Sequence, residues 1–280
     1  MRLGMNGLSE TQRQYFQQKG AIPGSVNFLT YRFAPKHVRD PLLVLQALVA
    51  EIVSIPLKVS EPEVALAKLG WWHSELDDRG WTHSQHPIVR AGREIGLFER
   101  LEFNTISRLL IATGAFASGE PIVDRATLHD RCCALGSAEA RLIAALESAQ
   151  ITQMAISAIG TARVLVFFME RRALALPGGS WWLPLQDQAR YGVSLAEVQA
   201  GHKGEGLAAS MRSLGQDAMQ HIGQAARELR HAGQAGSRVL PILLGVLGRR
   251  VQRLSSRPLG YDSRNTLAEV WSAWRAATRR

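Results

Sequence analysis

Apolar residues recur at helical spacing along nearly the whole chain and no segment alternates as a strand would, so the core this sequence can build is one of packed helices. Leu128, Cys132, Leu135, Leu142, Ile143 and Leu146 repeat at threes, fours and sevens, as do Met211, Leu214, Ala218, Ile222, Ala225 and Leu229. The same periodicity predicts helices over Glu10–Gln18, Pro41–Ile55, Pro87–Gly96, Glu99–Thr113, Thr127–Ser148, Thr152–Ala173, Leu207–Ala232, Arg238–Leu254 and Thr266–Ala277. Ser60-Glu61-Pro62 offers an N-cap and a first-turn proline for one more, running to Leu76 with Gly80 after its end. Pro177-Gly178-Gly179 and residues 200–206 read as loops, and neither is long enough to link two domains. A single all-α domain over residues 1–280 follows, with residues 1–24 as an N-terminal extension and first helix.

With 46% hydrophobic and 20% charged residues, the chain has ample material for a core, which excludes wholesale disorder. The longest apolar stretch, Met154 to Met169, is interrupted by Arg163 and falls short of the ~20 residues of a membrane span. Val239 to Gly248 is shorter and runs straight into Arg249 and Arg250, so both read as core helices. The N-terminus has neither the apolar segment of a signal peptide nor the basic character of a transit peptide. Cys132 and Cys133 are adjacent and point apart on a helix, which fits small buried hydrophobes in a reducing compartment. The expected location is cytoplasmic. Net charge is +9, and residues 201–280 hold thirteen Lys and Arg against five Asp and Glu. That basic third is either a solvated arginine-rich face or a surface for a protein partner or an anionic membrane, the latter placing the chain peripherally at the inner membrane face; a nucleic acid is not expected.

From Arg32, the string RFAPKHVRDPLLVLQALVAEIVSIPL sets an arginine, an aromatic and a Pro-Lys turn ahead of a long helix. LGWWHSEL (Leu69 to Leu76) and HPIVRA (His86 to Ala91) follow, then LHDRCCALGSAEARLIAAL, then WWLPLQDQARYGVSLAEV (Trp181 to Val198). In this order the segments resemble the squalene/phytoene synthase family, over nearly the whole chain from about Ser25. The resemblance implies the isoprenoid (terpenoid) synthase fold, a helical bundle around a central cavity. It also implies head-to-head condensation of two prenyl diphosphates, in which magnesium assists the departure of diphosphate. Such chemistry uses carboxylates spaced to share one helix face, in two clusters on facing helices.

Here the pattern departs from the family. Counted without gaps from Arg32 through Pro35, the first acidic cluster falls on Val53, Ser54 and Leu57; counted back from Leu183-Pro184, the second falls on Arg171, Leu174 and Ala175. The family's supporting Gln and Asn fall on Val164 and Phe167, and the acids nearby are Glu51 and Glu170. Pro56 further disturbs the first position, since proline inside a helix costs about 3 kcal/mol. The expectation is therefore no catalytic residue, no metal ligand and no cofactor: a catalytically silent homologue acting as a binding or assembly factor, with an apolar cavity retained. VSEP (Val59 to Pro62), following Ala50 to Ile52, resembles the divergent branch that includes the respiratory complex I assembly factor. The rival expectation is a magnesium-dependent head-to-head prenyltransferase making squalene- or phytoene-type products for isoprenoid, carotenoid or hopanoid biosynthesis. A third is a lipid carrier or sensor.

Arg171 and Arg172 put base where the family holds metal, and guanidinium binds phosphate directly, so they are candidate phosphate-binding residues for a prenyl diphosphate or a lipid headgroup in the cavity. Glu75, Asp77 and Asp78 lie near a helix end and read as solvent-facing rather than as a displaced motif. His73, His83 and His86 are too few for a zinc site, and His86 before Pro87 reads as a helix start. Trp71, Trp72, Trp181, Trp182, Trp271 and Trp274 read first as core packing; Trp271 and Trp274, beside Arg275, Arg279 and Arg280, offer a membrane-proximal face as the second reading.

Overall fold

The computed structural model describes residues 7–77, 80–231, 236–260 and 264–278. Ala232 at the end of one expected helix, Asp78, Arg279 and Arg280 lie outside the described residues. Among the described residues, regular structure is helical apart from one isolated bridge between Ala175 and Trp181. The α-helices are α1 (Glu10–Gly20), α2 (Val26–Phe33), α3 (Lys36–Val53), α4 (Ile55–Lys58), α5 (Pro62–Leu76), α6 (Gly80–His83), α7 (Pro87–Glu94) and α8 (Phe103–Ala117). They continue as α9 (Arg125–Leu146), α10 (Gln153–Glu170), α11 (Leu185–Tyr191), α12 (Leu195–Gln199), α13 (Glu205–His231), α14 (Val239–Ser256) and α15 (Leu267–Thr278).

The hub is α10, which packs on α9, α13 and α14. By length and composition it could cross a membrane, but 67% of it is buried inside the protein, as expected of a core helix. Its closest neighbour is α9. A Cβ on Gly136 would stand 2.0 Å from the Gly160 carbonyl oxygen, so the two backbones touch where both residues lack side chains. The apolar stretch of α14 is buried as well, and the buried hydrophobic residues form one cluster running from Leu8 to Ala273.

Several helix ends differ from the periodic reading, each for a local reason. Helix α3 begins at Lys36, not at Pro41. The proline's missing N–H leaves only the carbonyl of exposed His37 without an intrahelical donor, so the helix tolerates it. The same helix stops at Val53, two residues early, because Pro56 has no N–H to give Ile52; the chain restarts as α4 with Pro56 in its first turn. Glu61 rather than Ser60 caps α5, the Ser60 hydroxyl donating instead to Glu61 Oε1 at 2.7 Å. Gly80 opens α6 instead of closing α5. Helix α8 starts at Phe103, since Phe98 turns inward in a 3-10 turn (Phe98–Arg100) to reach the core. Helix α10 ends at Glu170, three residues before the expected Ala173.

The C-terminal helix is held by polar groups. Arg250 on α14 is fully buried; its Nε donates to Glu269 Oε1 at 2.6 Å, its Nη2 to the Gly24 carbonyl at 2.9 Å, and its Nη1 pairs with Glu170. Glu269 on α15 is equally buried and also pairs with Arg253 at 3.1 Å. Asn265 exchanges hydrogen bonds with Gly24 and donates to Ser25, tying the start of α15 to the turn before α2.

Two imidazoles give the fold a pH dependence. Burial pushes His86, packed against Trp71 and Trp72, below the ordinary range; Glu51 and Glu75 oppose that, while Lys19 adds to it. Burial also lowers His221, with His129 across from it pushing the same way and Asp217 opposing. A histidine whose folded pKa is depressed contributes stability that is complete above its unfolded value of about 6.5 and is lost as pH falls from there toward the folded value. The free energy of unfolding in urea is therefore expected to fall as pH drops below about 6.5, by at most about 1.4 kcal/mol per pH unit for each imidazole. His86→Phe and His221→Asn should each flatten that slope, and an unchanged slope in both would refute this account.

Candidate functional site

The two positions that the sequence marks lie at helix ends. Val53 is the last residue of α3 and half-buried; Ser54 caps it, its hydroxyl donating to the Glu51 carbonyl at 3.0 Å, and Leu57 sits half-buried in α4. Arg171 is the C-cap of α10, and Leu174 and Ala175 are in the loop beyond. That loop folds back on itself: Leu174 N–H donates to Arg171 O, Leu176 N–H to Ser180 O, and Gly178 takes a positive φ of 71° at the turn. Gly178 N–H then donates to the Ser60 carbonyl at 2.9 Å, which brings the second position up against the segment following the first.

An aromatic stack lies beneath. Phe168 is parallel to Trp182 at 5.2 Å between ring centroids and touches Phe116 and Phe167, and all but Phe167 are buried. Trp181 donates its Nε1–H to the Arg172 carbonyl at 2.7 Å, while the buried Trp182 Nε1–H meets no acceptor among the described residues. Val164 is buried and Phe167 half-buried, so apolar side chains stand where the family's polar support was expected.

The donor set does not fit magnesium, which wants several carboxylate oxygens at octahedral spacing. Valine, serine, leucine, arginine, leucine and alanine occupy the six positions, Glu51 is paired with Lys19, and Glu170 is paired with both Arg250 and Arg171. Among the described residues no group of three or more His, Cys, Asp or Glu could hold a metal ion. His73 packs on Phe103 and His86 on Trp71 and Trp72, so those histidines do not converge. Glu75 accepts from the Ser84 hydroxyl. Cys132 is buried and its thiol is pushed well above the usual range by that burial, so it is no nucleophile.

Beside these positions basic groups gather around a cleft. Glu170, Arg171, Arg172, Ala173, Leu174 and Val198 line a cleft of about 450 Å³ together with Gly201, His202 and Lys203. Arg171 lies with its guanidinium 4.0 Å from the centre of the Phe167 ring, and Arg172 donates to the Leu259 carbonyl at 3.3 Å. His202 and Lys203 arrive from the end of α12, where Gly201 at φ 87° turns the chain over the cleft and Gln199 bonds the Ala173 carbonyl. Sequence reading missed both residues; the signal was a basic pair set between glycines, HKG, in a segment read only as a loop. Trp71, Trp271 and Trp274 are 49%, 55% and 44% exposed, which corrects the core reading for those three, whereas Trp72, Trp181 and Trp182 are buried.

The family described as squalene/phytoene synthase matches residues 24–268. Among solved structures, squalene synthase HpnC from Alicyclobacillus acidocaldarius superposes with a TM-score of 0.68 at 16% identity, covering 89% of this chain and 93% of that one. A dehydrosqualene synthase in complex with ligand superposes with a TM-score of 0.69 at 13% identity, covering 96% of this chain and 95% of that one. At such identities the likeness is one of fold. No curated protein matches the chain at a significant level. The helical bundle is that of the isoprenoid synthases, and with the match spanning most of its length the chain belongs to the squalene/phytoene synthase family.

Proposed function

We propose that this chain is a catalytically silent member of its family, acting as a binding or assembly factor that holds a phosphate-bearing prenyl or lipid ligand by arginine instead of by metal. The observation that carries the reading is the cleft at the end of α10, where Arg171 stands at an expected carboxylate position with Arg172, His202 and Lys203 beside it. Bidentate guanidinium–phosphate bonds need no cation. Leu174 and Val198 supply an apolar wall for a chain attached to the phosphate. The local likeness of Val59 to Pro62 to the respiratory complex I assembly-factor branch suggests a respiratory complex as the protein partner. The site of action is then the cytoplasm or the inner membrane face, and no cofactor is required.

The second reading is a magnesium-dependent prenyltransferase, and it is favoured by the fold shared with proteins described as squalene and dehydrosqualene synthases. Purified protein incubated with farnesyl or geranylgeranyl diphosphate, with and without magnesium and NADPH, separates the two. No hydrocarbon product from folded protein is expected; magnesium-dependent squalene or phytoene would overturn the silent reading. In magnesium-free buffer, farnesyl diphosphate titrated by calorimetry should bind the wild type and lose about ten-fold or more in affinity with Arg171→Ala/Arg172→Ala, since each charge-assisted bond contributes about 1.5–3 kcal/mol. Unchanged affinity would remove the arginine site.

A further inference from the structure

Helix α15 carries its bulk on the wrong side for a core helix. Its inward stripe is Glu269, Ala273 and Ala276, four and three residues apart, of which Glu269 is consumed by Arg250 and Arg253. The opposite stripe is Leu267, Trp271 and Trp274, again four and three apart. Leu267 is 89% exposed, and the two indoles stack on each other at 4.8 Å in the open. A soluble surface helix shows the reverse, and a contiguous apolar face of this kind marks an interaction site.

The segment that carries α15 has charge of one sign. Residues 236–280 contain nine Arg against two acids, Asp262 and Glu269. Arg249, Arg257, Arg264 and Arg275 are exposed, whereas Glu269 is buried, so among the described residues of this segment no carboxylate faces solvent. We propose that the outward face of α15 is a docking surface for an anionic lipid bilayer, with Leu267, Trp271 and Trp274 entering the interfacial layer and the arginines meeting lipid phosphates. Indoles settle at the level of the headgroups, and juxtaposed arginines are attracted to an anionic leaflet. A second copy of this chain is the poorer occupant, because a two-fold contact through α15 would bring the same arginines against one another. The attachment is peripheral, since the one span-length apolar helix among the described residues, α10, is committed to the core. This inference stands independently of the ligand assigned to the cleft.

Co-sedimentation with vesicles of phosphatidylcholine alone, and of phosphatidylcholine mixed with phosphatidylglycerol, tests it. Wild-type protein is expected to pellet with the mixed vesicles and to remain in the supernatant with the neutral ones. Trp271→Ser/Trp274→Ser should weaken binding to the mixed vesicles by about ten-fold or more while leaving circular dichroism and the thermal midpoint unchanged, because both side chains lie outside the core. Brominated lipid should quench tryptophan fluorescence in the wild type and not in that variant. Failure of folded wild-type protein to bind the mixed vesicles, or equal binding by the variant, would overturn the proposal. So would a solution dimer that the same two substitutions dissolve, since the face would then belong to a second copy.

Discussion

Arg250→Ala is expected to lower the free energy of unfolding by about 3–5 kcal/mol, because it leaves the fully buried Glu269 and the nearly buried Glu170 short of their main counter-charge. In a chain of this size that corresponds to a thermal midpoint lower by roughly 10 °C. The loss arises from stranding charge rather than from losing an attraction, and this has a measurable signature. Replacing Arg250 and Glu269 together by methionine and leucine removes the fully buried stranded charge and leaves Glu170 to Arg171, so the double variant should recover much of the stability that the single one loses. Urea melts of the three proteins decide the matter: a double variant as weak as Arg250→Ala would mean that the network stabilises by attraction after all. The substitution also frees Glu170 beside Arg171, so residual anion binding in Arg250→Ala should be weaker than in the wild type.

The second large effect is steric. Gly160→Ala places a Cβ within 2.2 to 2.6 Å of the Gly136 carbonyl and the Ser137 nitrogen, all of them backbone atoms that cannot swing aside. Helices α9 and α10 must then separate along the central contact of the bundle. Overpacking a fitted core costs about 1–3 kcal/mol, and a clash against backbone at the hub belongs at or beyond the upper end. Gly136→Ala should cost a similar amount. Once either methyl has forced the helices apart, the other has less left to disturb, so the double substitution should be markedly less destabilising than the sum of the two. Additive losses in denaturant melts would show that the backbones are not in contact there.

How far the sequence speaks depends on whether a feature is local. Helix positions were legible because burial of one face imposes its period on consecutive residues: α9, α13 and α14 fall within a few residues of where periodicity puts them, and α5 starts at the first-turn proline that marked it. The helices missed or merged, α2, α4, α6, α11 and α12, have eight residues or fewer, too few turns for a period to be seen. The reading of Val53, Ser54, Leu57, Arg171, Leu174 and Ala175 as replaced carboxylate positions rests on counting along the chain alone. Arg250 was not, since in the sequence it is one arginine in a basic segment; its burial depends on Glu170 eighty residues earlier and on Glu269. His202 and Lys203 were equally hidden, because their place over the cleft comes from the turn at Gly201 rather than from any spacing.

The ion pairs and amide bonds that seat α15 give the molecule two kinds of joint. Within the bundle, helices cohere mainly by apolar area, with ion pairs such as Arg163–Glu139 and Arg125–Asp187 at single contacts. The last helix is fastened by directed groups on Arg250, Arg253, Asn265 and Glu269, and such a fastening is either engaged or released. Losing one partner is therefore felt first at α15 and, through Arg250 and Glu170, reaches α14 and α10, so the last helix is tied to the core as a clasp ties a strap.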